Sequence, residues 1–107
     1  MVDMLGMMKK AQEMQAKMQA MQAEMDRIEV TGQSGGGLVQ VTLSASGAMR
    51  AVVVDPALMK LEEKEILEDL VVTAHEDARR KADALREDKM RALTAGLPLP
   101  PGMKLPF

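Results

Sequence analysis

The sequence predicts a small α+β protein with the element order α-β-β-β-α. Stretches of good helix formers lie toward both ends of the chain, over residues 3–28 and 62–93. Between them, residues 38–45 alternate between apolar and polar side chains, which is the period of a half-buried strand. At 107 residues, the chain has room for one small domain. We expect that domain to span residues 1–96 and to be followed by a Pro-rich tail over residues 97–107.

The first helix carries a regular apolar stripe. Its apolar residues recur at alternating steps of three and four, which is the a/d spacing of a heptad repeat. This stripe, the Met seam, comprises Met4, Met7, Ala11, Met14, Met18, Met21, Met25 and Ile28. The seam predicts packing against another helix, with the flexible thioethers filling gaps. An adaptable groove for partner helices is the alternative use of such a Met-lined face.

Three strands are expected between the helices. Residues 28–31 begin to alternate, and we interpret residues 32–37, which are rich in Gly, as a flexible connection. The second strand covers residues 38–45, a tight turn follows at Ser46-Gly47, and residues 48–55 return as the third strand. The side chains expected on the buried face of the second strand are Val39, Val41, Leu43 and Ala45.

The second helix is expected to follow a capped turn. Asp55 precedes Pro56, which combines an N-cap residue with Pro at the first helical position. The long helix then runs over residues 62–93, and Gly96 is expected to stop it.

The Pro content of residues 97–107 excludes a helix or a central strand, so we expect an extended segment there. Pro98 and Pro101 have the P-x-x-P spacing of a docking ligand. Such short matches are common, however, so we expect the tail to pack across the dimer of this chain instead.

Composition excludes several classes of protein. With no Cys the chain can form neither a disulfide nor a thiolate site, and no apolar run approaches the roughly 18 residues of a membrane span. Because no secretory signal is visible either, we expect a cytoplasmic protein that does not bind membranes. With no Trp, no Tyr and one Phe, the core buries little area for its size, which favours association with another chain.

The sequence contains no recognisable pattern of a catalytic nucleophile, a phosphate-binding loop or a metal site. His75 has no nucleophile motif nearby, and the Gly-rich run at residues 32–37 lacks the order of a phosphate-binding loop. The acidic residues that open the second helix suit its positive dipole end and lack the His partners of a metal site. They are Glu62, Glu63, Glu65, Glu68 and Asp69. We therefore predict no enzyme activity, no cofactor, no metal and no small-molecule substrate.

The charge of the second helix is strongly polarised, although the whole chain carries only −2. Residues 62–77 contain seven acids and one base, a net charge of −6, whereas residues 79–91 contain six bases and three acids, a net charge of +3. The basic half predicts phosphate contacts, although bases near a helix C-terminus also complement the dipole. Charge alone leaves both interpretations open.

Four segments of this sequence resemble the YbaB/EbfC family of small bacterial nucleoid-associated DNA-binding proteins. They are the Met/Gln-rich stretch at 7–15, Glu29-Val30-Thr31-Gly32 leading into residues 36–41, the turn at 54–58, and the end at 94–103. The resemblance implies an α-β-β-β-α protomer, a homodimer with projecting helical arms, and DNA binding with little or variable sequence preference. It implies neither enzymatic activity nor a cofactor.

We therefore expect a cytoplasmic, nucleoid-associated homodimer that binds double-stranded DNA through backbone contacts, in nucleoid organisation or gene regulation. A protein-interaction adaptor that uses the Met-rich helix as a groove is the alternative. The candidate DNA contacts are Lys9, Lys10, Lys17, Arg27, Arg79, Arg80, Lys81, Arg86 and Lys89.

Overall fold

The computed structural model describes residues 4–94 and confirms the predicted order of elements. In chain order, the elements are helix α1 (Met4–Arg27), strands β1 (Glu29–Ser34), β2 (Val39–Ser44) and β3 (Met49–Val54), and helix α2 (Lys64–Thr94). Two 3-10 turns, Pro56–Leu58 and Leu61–Glu63, connect β3 to α2. The expected stop at Gly96 and the tail over residues 97–107 lie outside the described residues.

The strands form one antiparallel sheet in the order β1-β2-β3. Thr42 of β2 pairs with Thr31 of β1 on one side and with Ala51 of β3 on the other. A bulge follows between Thr42 and Leu43. The four side chains predicted for the buried face of the second strand, Val39, Val41, Leu43 and Ala45, are all buried.

Local hydrogen bonds confirm two predicted turns. Gly47 adopts a φ of +106°, which an L side chain disfavours, and its N–H donates to the Ser44 carbonyl at 2.9 Å. Asp55 caps the turn at Pro56, because its carboxylate accepts a hydrogen bond from the Ala57 N–H at 2.8 Å. The 3-10 turn Leu61–Glu63 delays the start of α2 to Lys64, two residues later than expected.

The interpretation of residues 32–37 as one flexible connection is wrong for its first half. Gly32, Gln33 and Ser34 belong to β1, and the turn begins at Gly35. Gly32 is required by close packing: a Cβ there would lie 2.2 Å from the Ala78 nitrogen of α2. A glycine that permits close approach has the same sequence signature as a glycine that permits a turn, so the pattern misplaced the end of β1.

Helix α2 lies across β1 and β2 and forms the core with them. Ala74, Ala78 and Ala82 recur every four residues on one face of α2, and each is at most 1% exposed. Their small side chains let the helix axis come close to the sheet. The buried β2 residues Val39 and Val41 complete the cluster on the sheet side.

Helix α2 also holds the edge strand β1 through side-chain hydrogen bonds. The Gln33 N–H donates to the Asp77 carboxylate at 3.0 Å, and the Lys81 ammonium donates to the Thr31 carbonyl at 2.8 Å. The Ser34 hydroxyl donates to the Leu70 carbonyl of α2 at 2.6 Å. The first two bonds give the Gln33 N–H and the Thr31 carbonyl of β1 intramolecular partners, which protects this edge from pairing with another chain.

The opposite edge and the free part of α1 are exposed. On β3, Met49 is 50%, Val52 43% and Val53 58% exposed. In α1, Met25 is buried, whereas residues 7–13 are all exposed. The described chain is accordingly elongated, with extents of 72 × 27 × 16 Å.

The Met seam is covered only toward its C-terminal end. Met25 is buried and Met14, Met18, Met21 and Ile28 are half-buried, whereas Met4, Met7 and Ala11 are exposed. The first half of the seam therefore has no cover among residues 4–94, and its packing against another chain stays a prediction.

Replacing Gly32 by Ala is expected to destabilise the protein strongly. The new Cβ would lie 2.2 Å from the Ala78 nitrogen and 2.4 Å from the Ala74 carbonyl oxygen, both of them backbone atoms. Because the helix and the strand must move apart, we expect a loss of about 3 kcal/mol or more in the free energy of unfolding, measured by urea titration. Gly36→Ala is the control, since a Cβ there meets nothing within 4 Å and costs only about 1 kcal/mol of backbone strain. Equal losses in the two variants would contradict the close approach.

The charge of Asp77 is expected to make stability depend on pH. The hydrogen bond from the Gln33 N–H, with the nearby charges of Lys81 and Arg80, holds the pKa of Asp77 below its ordinary value against a smaller opposing effect of burial. A lowered pKa in the folded state stabilises the fold at pH values above the unfolded pKa, about 4, and the contribution disappears as pH falls through the folded pKa.

We therefore expect Asp77→Asn, which keeps an acceptor oxygen but loses the charge, to lower the urea midpoint near neutral pH. The difference from the parent chain should shrink as the pH falls below about 4. A difference that stays constant down to about pH 3 would show that the charge of Asp77 contributes nothing.

Candidate nucleic-acid interface

Charge is separated along the axis of α2. Acidic side chains at its start face solvent: Glu65 and Glu68 of α2 are exposed, as is Glu62 in the preceding 3-10 turn. The basic half begins at Arg79, beyond the contact of α2 with Gly32. At 1.5 Å per residue, Glu65 and Lys89 are about 36 Å apart along the helix, several Debye lengths at physiological ionic strength. An anion close to the basic half is therefore largely screened from the acidic half.

Helix α1 lies beside the basic half of α2. The Lys89 ammonium contacts the Glu24 carboxylate at 2.6 Å, and Met21 and Met25 line a groove shared with Met90. We call the basic half of α2 together with α1 the basic end of the molecule. It contains all nine predicted contacts, which are Lys9, Lys10, Lys17, Arg27, Arg79, Arg80, Lys81, Arg86 and Lys89.

We call residues 4–20 of α1 the α1 arm. Its Lys side chains are the cations most accessible to an external anion. Lys9, Lys10 and Lys17 are exposed and form no hydrogen bond or ion pair with another residue of the described chain. Arg27, at the end of α1, is exposed as well, and its Nε donates to the Ala23 carbonyl of its own helix at 3.3 Å. The arm thus presents positive charge along a narrow helix that solvent surrounds.

Arg79 and Arg80 are exposed on α2, with side chains 71% and 72% accessible. Each has an acidic neighbour on its own helix: Arg79 lies 4.0 Å from Asp83, and Arg80 lies 3.6 Å from Asp77. Such surface ion pairs contribute little free energy, about 0–1 kcal/mol, so either guanidinium can turn to an external anion at low cost.

The other three predicted contacts on α2 have internal partners. Lys81 is bound to the Thr31 carbonyl and to Asp77, Lys89 is bound to Glu24, and Arg86 is bound to Asp83. Lys81 holds β1 against α2, and Lys89 holds α1 against α2. The sequence analysis predicted the same role for these cations as for Arg79 and Arg80. The partners Thr31 and Glu24 are distant in the chain, and an acid three or four residues away on the same helix does not reveal from sequence alone which cations are already paired.

His75 lies at a small cavity beside Arg79 and Arg86, close to the β2–β3 turn. The hydroxyls of that turn are already engaged: Ser44 Oγ and Ser46 Oγ are 2.7 Å apart, and Ser44 Oγ accepts the Ala48 N–H at 3.0 Å. These bonds stabilise the turn. Within residues 4–94, no three His, Asp or Glu side chains cluster as metal ligands, and no helix has the length and apolarity needed to span a bilayer.

The fold is also found among solved structures. An uncharacterized protein from Helicobacter pylori superimposes with a TM-score of 0.77, covering 87% of this chain and 98% of that one. The two sequences are 20% identical, so the comparison concerns the fold alone.

Sequence relatives extend over nearly the whole chain. A nucleoid-associated protein of Methylocella silvestris is 66% identical over 105 residues, and one of Rhizobium meliloti is 59% identical over 105 residues. Each alignment covers 98% of both chains. The model of the YbaB/EbfC DNA-binding family matches residues 1–97, which agrees with the resemblance seen in the sequence. The chain belongs to the YbaB/EbfC DNA-binding family.

Proposed function

We propose that the chain binds double-stranded DNA as a homodimer, through contacts between the basic end and the phosphate backbone. The observation that carries this proposal is the grouping of exposed Lys and Arg side chains on α1 and on the basic half of α2. Phosphate contacts fix the position of a protein on the duplex but carry no sequence information, so we infer low sequence specificity. Neutralised phosphates release counterions, which supplies the free energy of non-specific binding.

Duplex DNA fits this surface better than single strands do. Proteins that bind single strands stack bases on aromatic side chains, and this chain has no Trp and no Tyr. Its one Phe, Phe107, and its one His, His75, are too few to form a row of stacking platforms. The exposed α1 arm offers charge without stacking platforms, which suits a duplex whose bases stay paired.

A role in nucleoid organisation or gene regulation follows for a protein of this kind. The relatives from Methylocella silvestris and Rhizobium meliloti are named nucleoid-associated proteins, which supports the same place, the nucleoid in the cytoplasm, for this chain. With a net charge of −2 per chain, the protein as a whole repels DNA weakly, so attraction depends on the local field of the basic end.

The proposed homodimer is supported by the exposed edge of β3. Met49, Val52 and Val53 place apolar side chains beside the outer backbone of β3, and residues 4–94 contain no strand that pairs with it. An exposed apolar strand edge is a template for pairing with another chain. Two β3 strands related by a twofold axis would pair antiparallel and cover both edges at once.

Removing cations from the basic end is expected to weaken DNA binding without unfolding the protein. One variant changes Lys9, Lys10 and Lys17 to Ala, and a second changes Arg79 and Arg80 to Ala. We expect each variant to lose affinity by about the same factor for duplexes of unrelated sequence. In titrations over a range of salt concentrations, the slope of log K against log salt should fall by about 0.9 for each phosphate that the variant no longer neutralises.

The control lies in the acidic 3-10 turn that precedes α2, where Glu62→Gln together with Glu63→Gln should leave affinity unchanged or slightly raised because repulsion is reduced. Circular dichroism should show an intact fold in every variant. Folded variants of both basic groups with unchanged affinity and unchanged slope would overturn the proposed interface.

A charge on the β3 edge is expected to dissociate the homodimer. Sedimentation of the parent chain should give about twice the 11.7 kDa of one chain. Val53→Lys should shift that mass to a single chain, because pairing would bring two added charges close together in a partly desolvated interface. Val72→Lys is the matched control, since Val72 is also 58% exposed but lies on α2. A parent chain that sediments as a monomer, or a Val53→Lys variant that stays dimeric, would contradict β3 pairing.

A further inference from the structure

An open groove separates the C-terminal half of α1 from the C-terminal half of α2. Its volume is about 740 Å³, within the range of sites that hold ligands or peptide segments. Met21 and Met25 of α1 and Met90 of α2 provide its apolar walls. The α2 side adds charges of both signs, from Asp83, Arg86, Glu87 and Arg91.

The walls of this groove are only partly covered within the described chain. Met21 and Met90 are half-buried, although apolar thioethers gain free energy when they leave water. The ion pair between Lys89 and Glu24 holds the two helices together near the groove. A segment that filled the groove would contact both helices and so add apolar packing between α1 and α2 to this ion pair.

The end of the chain is within reach of the groove. Thr94, the last described residue of α2, lies one turn beyond Met90 in the groove wall. Gly96 follows, and a glycine allows the chain to reverse direction at low cost. An extended segment of residues 97–107 spans about 34 Å, whereas Asp83 and Met90 are only about 10 Å apart along α2. The tail is long enough to run back along the whole groove.

The chemistry of the tail matches the groove. Residues 97–107 contain four Pro, three Leu, one Met and one Phe, and Pro-rich apolar segments dock into such grooves with little loss of conformational entropy. Lys104 is the one charged side chain in this segment, and the two acids and two bases that line the groove balance in charge, so the match is one of apolar surface. Phe107, the single aromatic residue, can make the sulfur–aromatic contacts that Met side chains favour.

We propose that residues 97–107 dock into the groove between α1 and α2 of their own chain. The docked tail braces α1 against α2 and so sets the direction in which the α1 arm projects. This inference goes beyond the proposed function and does not depend on DNA binding.

Paramagnetic NMR on the full chain tests the proposal. The sequence contains no Cys, so Gly102→Cys supplies a single attachment point for a nitroxide within the tail. The methyl groups of the 12 Met residues then report which parts of the protein the label approaches. We expect the signals of Met21, Met25 and Met90 to broaden and those of Met7 and Met59 to stay sharp. Sharp signals at all three groove residues, or equal broadening of every Met signal, would overturn docking.

Groove variants separate docking from chance proximity. Met21→Gln makes one wall polar and should abolish the broadening at Met25 and Met90, whereas Met7→Gln, on the same seam but beyond the groove, should leave it intact. Phe107→Ser should reduce the broadening and Phe107→Leu should retain it. Broadening that persists unchanged in both Met21→Gln and Phe107→Ser would overturn the proposal.

A mixing experiment distinguishes the chain's own tail from that of a second copy. Chains that carry the nitroxide but no isotope are mixed with isotope-labelled chains that carry no nitroxide, under conditions that allow subunits to exchange. Docking within one chain predicts that the groove signals stay sharp in the mixture. Broadening in the mixture that equals the broadening within one chain would overturn docking of a chain's own tail and assign the groove to a partner's tail.

Discussion

The rest of the structure depends on the close approach of α2 to β1 at Gly32. No side chain fits between this strand and the backbone at Ala74 and Ala78, so the helix lies nearly on the sheet. At this short distance Asp77 and Lys81 reach backbone groups of β1, and the Ala stripe of α2 is buried. The same contact places the later turns of α2 beyond the sheet, beside α1. A single packing constraint therefore positions both the sheet edge and the basic end.

The β1 edge of the sheet is protected and the β3 edge is exposed, because α2 holds only β1 through side-chain hydrogen bonds. Polar side chains of α2 form hydrogen bonds with backbone groups of β1, whereas Met49, Val52 and Val53 of β3 lie exposed beside an uncovered edge. The proposed pairing with a second chain therefore involves β3. Two β3 edges that paired with each other would leave no open edge to extend, because the β1 edge is protected, so the proposed association is a closed pair.

The separation of charge along α2 allows a chain with a net charge of −2 to present a basic surface. A uniform distribution of the same residues would give almost no field, whereas about 36 Å between the two ends exceeds the distance over which salt screens them. Within the basic end, the cations differ in what they already bind. Lys81 and Lys89 stabilise the fold through their internal partners. The Lys side chains of the α1 arm have no partner among residues 4–94, so they can contact a phosphate without breaking an existing interaction.

The sequence by itself determined the element order, the β2–β3 turn, the capped turn at Asp55 and the polarity of α2, because each is encoded by neighbouring residues. Periodicity, turn residues and charge runs act over a few positions, which a linear pattern can display. Only the tertiary structure decided that Gly32 belongs to β1, that Asp77 and Lys81 hold that strand, and that Lys89 is paired with Glu24. These roles arise between residues 44 to 65 positions apart in the chain. Their physical reason is the distance between two elements, a quantity that no local pattern contains.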